Sequence, residues 1–154
     1  MVTQILALDP ATKCGWAHSS GASGTWDLSV RRDESDGMRL IRLQCKLGEI
    51  HKSAGIDLLV FEAARNMKFG NAIRVAGEIQ GAIKLWCENH DVPYRAYSAT
   101  EIKKFATGKG SADKGKMLAA AHQKWPLMSF VDDNHVDALW VLEFAKHEFS
   151  VLAA

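Results

Sequence analysis

The stretch Ile56-Asp57-Leu58-Leu59-Val60-Phe61-Glu62 is an almost unbroken apolar run that ends in an acid. A strand with one wet face shows polar residues at every second position, so a continuous run predicts a strand covered on both faces. Helices should therefore lie on either side of the sheet that holds it. Upstream, Met38 to His51 sets Met38, Ile41, Leu43, Leu47 and Ile50 among basic and polar residues at roughly helical spacing. Downstream, Asn71 to Asn89 repeats Ile73, Ala76, Ile79, Ile83 and Trp86. Each predicts an amphipathic helix with its apolar side on the sheet.

Farther out, Gln4 to Asp9, Gly15 to Ser19 and Gly24 to Val30 read as three short strands, the last two joined by the turn-forming Gly21-Ala22-Ser23-Gly24. They predict an antiparallel meander. Val92 to Tyr97 supplies a fifth strand, and Ser98-Ala99-Thr100-Glu101 has the spacing of a capping box that opens a helix to about Ala106. After Thr107-Gly108-Lys109-Gly110, helices are expected over Ser111 to Trp125 and Asp133 to about Lys146, separated at Pro126. The order predicts an α/β domain with a five-stranded mixed sheet flanked by helices.

At 154 residues the chain is expected to form one domain, 1–154, with no internal repeat or linker. Hydrophobic residues at 47% and charged residues at 24% are those of an ordinary globular protein. A net charge of +1 says nothing by itself about a polyanionic partner. Cys14, Cys45 and Cys87 are spaced for neither a disulfide framework nor a CxxC zinc site, which points to a reducing cytoplasm. MVTQILALDP has no basic leader region, and no apolar stretch approaches ~18 residues, so neither a signal peptide nor a membrane span is expected.

Three acids stand at the ends of apolar elements: Asp9 and Glu62 close strands, and Asp137 lies early in the final helix. In open α/β sheets ligands gather at the carboxyl ends of strands, so these acids can meet there if the two strands run parallel. Clustered carboxylates repel one another unless a divalent cation lies between them, and two such cations suit in-line hydrolysis of a phosphodiester. Each acid also has a plainer reading. Asp9 before Pro10 suits a turn, and Asp132-Asp133-Asn134 suits a helix cap. Glu62, inside LLVFEAA, is the hardest to explain without a partner. His135 is expected to be exposed or to support a ligand rather than to be one.

From Glu101 to Met117, Lys103, Lys104, Lys109, Lys114 and Lys116 face only Glu101 and Asp113. Gly108 and Gly110, with the helix start after Ser111, would let backbone amides approach a phosphate. A nuclease needs such a cationic surface beside its acids, although lysine-rich helix faces are commonly just solvated.

These motifs together resemble the RuvC-like Holliday junction resolvases, phage-type members included, whose fold is ribonuclease H-like. ILALDPATKCGWA resembles their first-strand motif, LLVFEAA their second, GKGSADK their Gly-x-Gly-x-Ala-x-Lys loop, and DDNHVDALW their last acidic helix, in matching order from Ile5 to Trp140. The resemblance implies a crossover junction endodeoxyribonuclease: a homodimer that nicks branched DNA, four-way junctions in particular, with Mg²⁺ or Mn²⁺. The setting would be a bacterial cell or phage-infected host. It assigns metal binding to Asp9, Glu62 and Asp137, and phosphate contact or catalytic support to Lys114. The bacterial pattern has an acid or His where this chain has Asn134, so Asp133, one helical turn before Asp137, is the favoured fourth ligand and Asn134 the alternative. Where relatives carry an aromatic wedge, Arg65 stands, with Phe69 nearby as a second base-stacking candidate. Arg65, Phe69, Lys104, Lys109 and Lys114 are thus the expected DNA contacts. Rival readings are a related nuclease acting on flaps or forks, and a non-catalytic branched-DNA-binding module. An actin-like ATPase would need a second domain.

Overall fold

The computed structural model describes residues 4–63 and 70–153. Among them, strands β1 (Ile5–Asp9), β2 (Lys13–His18) and β3 (Ser23–Asp27) form the antiparallel meander, and β4 (Leu58–Glu62) and β5 (Tyr94–Tyr97) extend the same sheet in parallel from β1. The strand order is β3-β2-β1-β4-β5. Helices α1 (Met38–Ser53) and α2 (Asn71–Asn89) cover one face, and α3 (Ala99–Thr107), α4 (Lys114–Lys124) and α5 (Asp133–Ala153) the other. This is the five-stranded mixed sheet flanked by helices that the residue pattern predicts.

Several boundaries move inward or outward. Strand β5 begins at Tyr94 rather than Val92, since Pro93 has no amide proton for the ladder. Strand β4 begins at Leu58 rather than Ile56, and β3 ends at Asp27 rather than Val30. Helix α4 starts at Lys114, not Ser111, because the Asp113 side chain caps it by accepting from the Lys116 amide. Helix α5 continues past Lys146 to Ala153. The capping box of α3 is present as expected, with Ser98 and Glu101 bonded reciprocally.

Strand parity places the acids. Leu6, Leu8, Leu59 and Phe61 pack against Leu43, Leu47, Ile79 and Ile83 of α1 and α2. Ile5, Ala7, Leu58 and Val60 point the other way, onto Val136, Leu139 and Trp140 of α5. Side chains two residues apart share a face, so Asp9 and Glu62 both face α5. The parallel register, Leu8 beside Phe61, brings the two strand ends level.

The cross-strand partner of Asp9 is Gly15. A Cβ built on Gly15 would lie 1.8 Å from the carbonyl oxygen of Asn134, so the first turn of α5 occupies the space where a side chain would stand. Hydrogen bonds then hold that turn to β3. The Asp132 carboxylate accepts from the His135 amide and from the Thr25 hydroxyl, each at 2.8 Å. His135 is buried rather than exposed. Its Nδ1 accepts from the Val131 amide at 3.1 Å, which leaves the proton on Nε2 to donate to Ser23 Oγ at 2.8 Å. Asp132 is therefore the helix cap, and His135 a structural strut.

Gly15→Ala should displace α5 or strain the sheet. Overpacking costs about 1–3 kcal/mol, and each kcal/mol lowers Tm by roughly 2–4 °C for a chain of this size. Gly48→Ala, in the interior of α1 with open space around its Cα, should hold or raise Tm. Thermal unfolding followed by circular dichroism compares the two; equal Tm values would refute close seating of α5.

Candidate metal centre

Asp9, Glu62 and Asp137 converge. Each offers one carboxylate oxygen, and the three oxygens lie within 4.8 Å of one another. Asp9 comes from the end of β1, Glu62 from the end of the neighbouring parallel strand, and Asp137 from the second turn of α5 above Gly15. Asp9 is 8% exposed, while Glu62 and Asp137 open onto a cleft of about 350 Å³. The plain turn reading of Asp9 does not account for a buried carboxylate aimed at two others.

Burial raises the proton affinity of all three, and repulsion between the acids raises it further at Asp9 and Asp137. For Asp9 burial is the larger cause, followed by the charges of Asp137 and Glu62, and its carboxyl is held well above the usual range. Burial, then Glu62 and Asp133, pushes Asp137 up to about 7. Glu62 is raised by burial and partly relieved by Lys103. Hydrogen bonding with Asp9 lowers the proton affinity of both Asp137 and Glu62, against the rise that burial causes. The donor set fits a hard divalent cation: oxygen ligands only, three formal negative charges, and a pocket in which those charges are otherwise costly.

Asp133 is more exposed and lies outside this trio, with its carboxylate 3.4 Å from Lys114 Nζ. It is near enough to raise the proton affinity of Asp137, a position compatible with a fourth ligand at the rim. Lys114 lines the cleft together with Lys103, Glu62 and Asp137. Lys103 is the cleft residue that the site reading of the sequence left out. Its signal was available, since the capping box at Ser98 sets the helix phase and Ala99 and Lys103, four residues apart, face the cleft together.

The other basic residues disperse. Lys109 and Lys116 line a separate groove of about 340 Å³ between α3 and α4, with Thr107 and Gln123. Lys104 lies in a third cleft, beside Glu101, Phe105 and His147. The start of α4 is not an open anion site, because the Asp113 carboxylate already caps it. Arg65 and Phe69 lie outside the described residues.

Known proteins can now be set beside this geometry. The chain is 34% identical over 84 residues to the crossover junction endodeoxyribonuclease RuvC of Gloeobacter violaceus. That match covers 54% of this chain and 48% of the relative, so the chain spans about half the length of the curated protein it matches. The solved structure of Thermus thermophilus RuvC superposes with a TM-score of 0.70 over 90% of both chains, at 18% identity. The fold is that of RuvC. T. thermophilus RuvC in complex with Holliday junction substrate gives a TM-score of 0.72 at 19% identity, over 90% of this chain and 89% of that one. The yeast mitochondrial Holliday junction resolvase gives 0.59 at 11%, over 91% and 76%. No family model matches the chain. The resemblance to RuvC read from the four motifs thus extends to the fold. Among the described residues, no helix is long and apolar enough to cross a membrane.

The raised acids carry a pH signature. Between an ordinary carboxylate near pH 4 and the Asp137 value of about 7, the folded state keeps protons that the unfolded chain has released. Metal-free stability is therefore highest at the acid end of that window and falls as pH rises through about 7. A cation competes with those protons, so its stabilisation should grow over the same window. Adding Mg²⁺ or Mn²⁺ is expected to raise Tm more at pH 8 than at pH 5, and Asp137→Asn should diminish both effects. A Tm at pH 8 indifferent to either ion would count against the metal centre.

Proposed function

We propose that the chain is a single-domain (1–154), metal-dependent endonuclease that resolves four-way (Holliday) DNA junctions by phosphodiester hydrolysis. The observation that carries this reading is the convergence of Asp9, Glu62 and Asp137 within 4.8 Å at the strand ends of a RuvC fold. Two lysines open onto the same cleft, which a negatively charged substrate requires beside three acids. A non-catalytic binding module would have no use for buried carboxylates that repel one another.

In this reading Asp9, Glu62 and Asp137 hold Mg²⁺, for which Mn²⁺ can substitute, with Asp133 as the fourth ligand and Asn134 as the alternative. The bound ions would supply an activated water and neutralisation of the leaving oxygen. Lys103 and Lys114 hold the scissile phosphate against the acids and offset its charge. For Lys114 this means leaving its ion pair with Asp133, an exposed contact that costs little to break. Lys104 and Lys109 would contact DNA backbone away from the cleft, and Arg65 and Phe69 remain the candidates for stacking at the branch point. A DNA substrate and three free thiols, Cys14, Cys45 and Cys87, are consistent with a cytoplasmic setting in a bacterial cell or phage-infected host.

Paired cuts call for two sites related by a two-fold axis, so we infer a homodimer. Helix α2, with apolar Ile and Trp residues and the small residues Ala76, Gly77, Gly81 and Ala82, is the proposed interface. Ile79, Ile83, Trp86 and Ala76 are buried in the chain's own core. The outer surface offers Gly77 and Gly81, with open space over each, and Leu85, which is 60% exposed. Light scattering at micromolar concentration should report a dimer, and Gly81→Arg should favour monomers.

Synthetic four-way, three-way, flap and linear DNA with Mg²⁺ test the substrate. Asp9→Asn, Glu62→Gln and Asp137→Asn should each lower four-way cleavage on the order of 10²-fold or more while junction binding persists. If Asp133 is a ligand, Asp133→Asn joins them and Asn134→Ala stays active; the reverse pattern assigns Asn134. Lys114→Ala should lower the log–log salt slope of binding by roughly 0.9, with Lys146→Ala as the control. Cutting of flaps in preference to four-way junctions would replace the substrate, and full activity in Asp9→Asn would remove the nuclease reading.

A further inference from the structure

Helices α1 and α2 run side by side in the same direction: Asp36 pairs with Arg74, Gln44 reaches the Ala82 carbonyl, and His51 meets Trp86. Both begin at the edge where β1 and β4 end, the edge that holds the carboxylates, but on the opposite face of the sheet. The core-facing stripe of α1 at four-residue spacing is Arg39, Leu43, Leu47. Leu43 and Leu47 fill the core. Arg39 continues the stripe at the helix start and is 9% exposed.

Among the described residues this arginine side chain has no charged or hydrogen-bonding partner. Its Nε is sealed from water and has no hydrogen-bond partner. The acids near it in sequence are engaged elsewhere: Glu34 with Arg42, Asp36 with Arg74, and Asp33 with Arg31. Among the described residues no carboxylate pairs with Arg39, whereas buried charges in folded proteins are ordinarily paired. A leucine or methionine would continue the stripe without that desolvation cost. A guanidinium held by its buried stem, with its fork uncommitted, suits an anion with two oxygens in one plane.

We propose that Arg39 binds a backbone phosphate of the DNA substrate on the α1–α2 side of the sheet edge, away from the scissile phosphate. The proposal rests on the nuclease reading for its ligand. Arg39 then anchors the strand from the face opposite Lys103 and Lys114, so that the sheet edge is gripped from both sides.

The test uses full-length protein carrying Asp9→Asn, with EDTA present, so that binding is read without cleavage. Arg39→Met keeps the buried stem and removes the fork. It should weaken four-way junction binding about tenfold, as loss of a charged hydrogen bond implies, and lower the log–log salt slope by about 0.9. Arg39→Lys should recover the slope but only part of the affinity. Tm should be unchanged or higher in Arg39→Met, because an unpaired buried charge is gone. Unchanged affinity and slope in Arg39→Met would overturn the proposal and leave the residue as a core filler. Millimolar inorganic phosphate forms the second arm. A Tm rise in wild type that Arg39→Met abolishes, alongside an unchanged junction slope, would reassign the site to a free anion and overturn the DNA assignment. Should wild type bind no DNA at all, the nuclease reading fails by itself. The phosphate arm then decides whether Arg39 is an anion site, and no Arg39-dependent shift overturns that too.

Discussion

The contact on which the site depends is backbone on backbone: the Asn134 carbonyl seated over Gly15. A helix normally stands off a sheet by the thickness of the side chains between them. Here one of those side chains is missing, and a Cβ in its place would lie 1.8 Å from the oxygen. Close approach is what lets Asp137, on a helix, reach two carboxylates on strands. The Asp132–Thr25 and His135–Ser23 bonds then prevent the first turn from rotating. An imidazole buried for that purpose is a fixed element of the frame, and burial lowers its proton affinity in keeping with the neutral form.

Once α5 is seated, the electrostatics follow. Three acids enter a shared, partly dry space, and the charge of Glu62 raises the proton affinity of both Asp9 and Asp137. Metal-free, the centre is a store of unfavourable charge that protons relieve below about pH 7 at Asp137. A hard cation bound there would relieve it without that limit, and would stabilise the fold that holds it. The lysines complete the balance through side chains rather than through the glycine loop's amides. Asp113 occupies the start of α4, and positive charge reaches the cleft from Lys103 on α3 and Lys114 on α4.

The same edge is asymmetric across the sheet. On the α5 face negative charge is concentrated and countered by two lysines. On the α1–α2 face a buried arginine has no acid partner among the described residues, and the nearby acids pair with other arginines. A polyanion lying across the edge meets cationic groups on both sides of the acids, which directs its phosphates toward the carboxylates instead of away from them.

The sequence by itself determined the elements and which face each acid takes. Continuous apolar runs mark strands buried on both sides, and the two-residue period that sends Ile5 and Ala7 toward α5 sends Asp9 there as well, as it does Glu62 after Leu58 and Val60. It also carried the four motifs that resemble RuvC. Tertiary structure decided what periodicity cannot encode. Three acids begin the last helix region, and only the phase at which α5 sits on Gly15 makes Asp132 a cap, Asp133 a rim residue and Asp137 a member of the cluster. Five lysines read as one basic segment, yet the turns between α3 and α4 send them to three different clefts. Arg39 looked like an ordinary charge on an amphipathic helix, because whether an acid stands near a side chain depends on residues distant in the chain, which local spacing does not report.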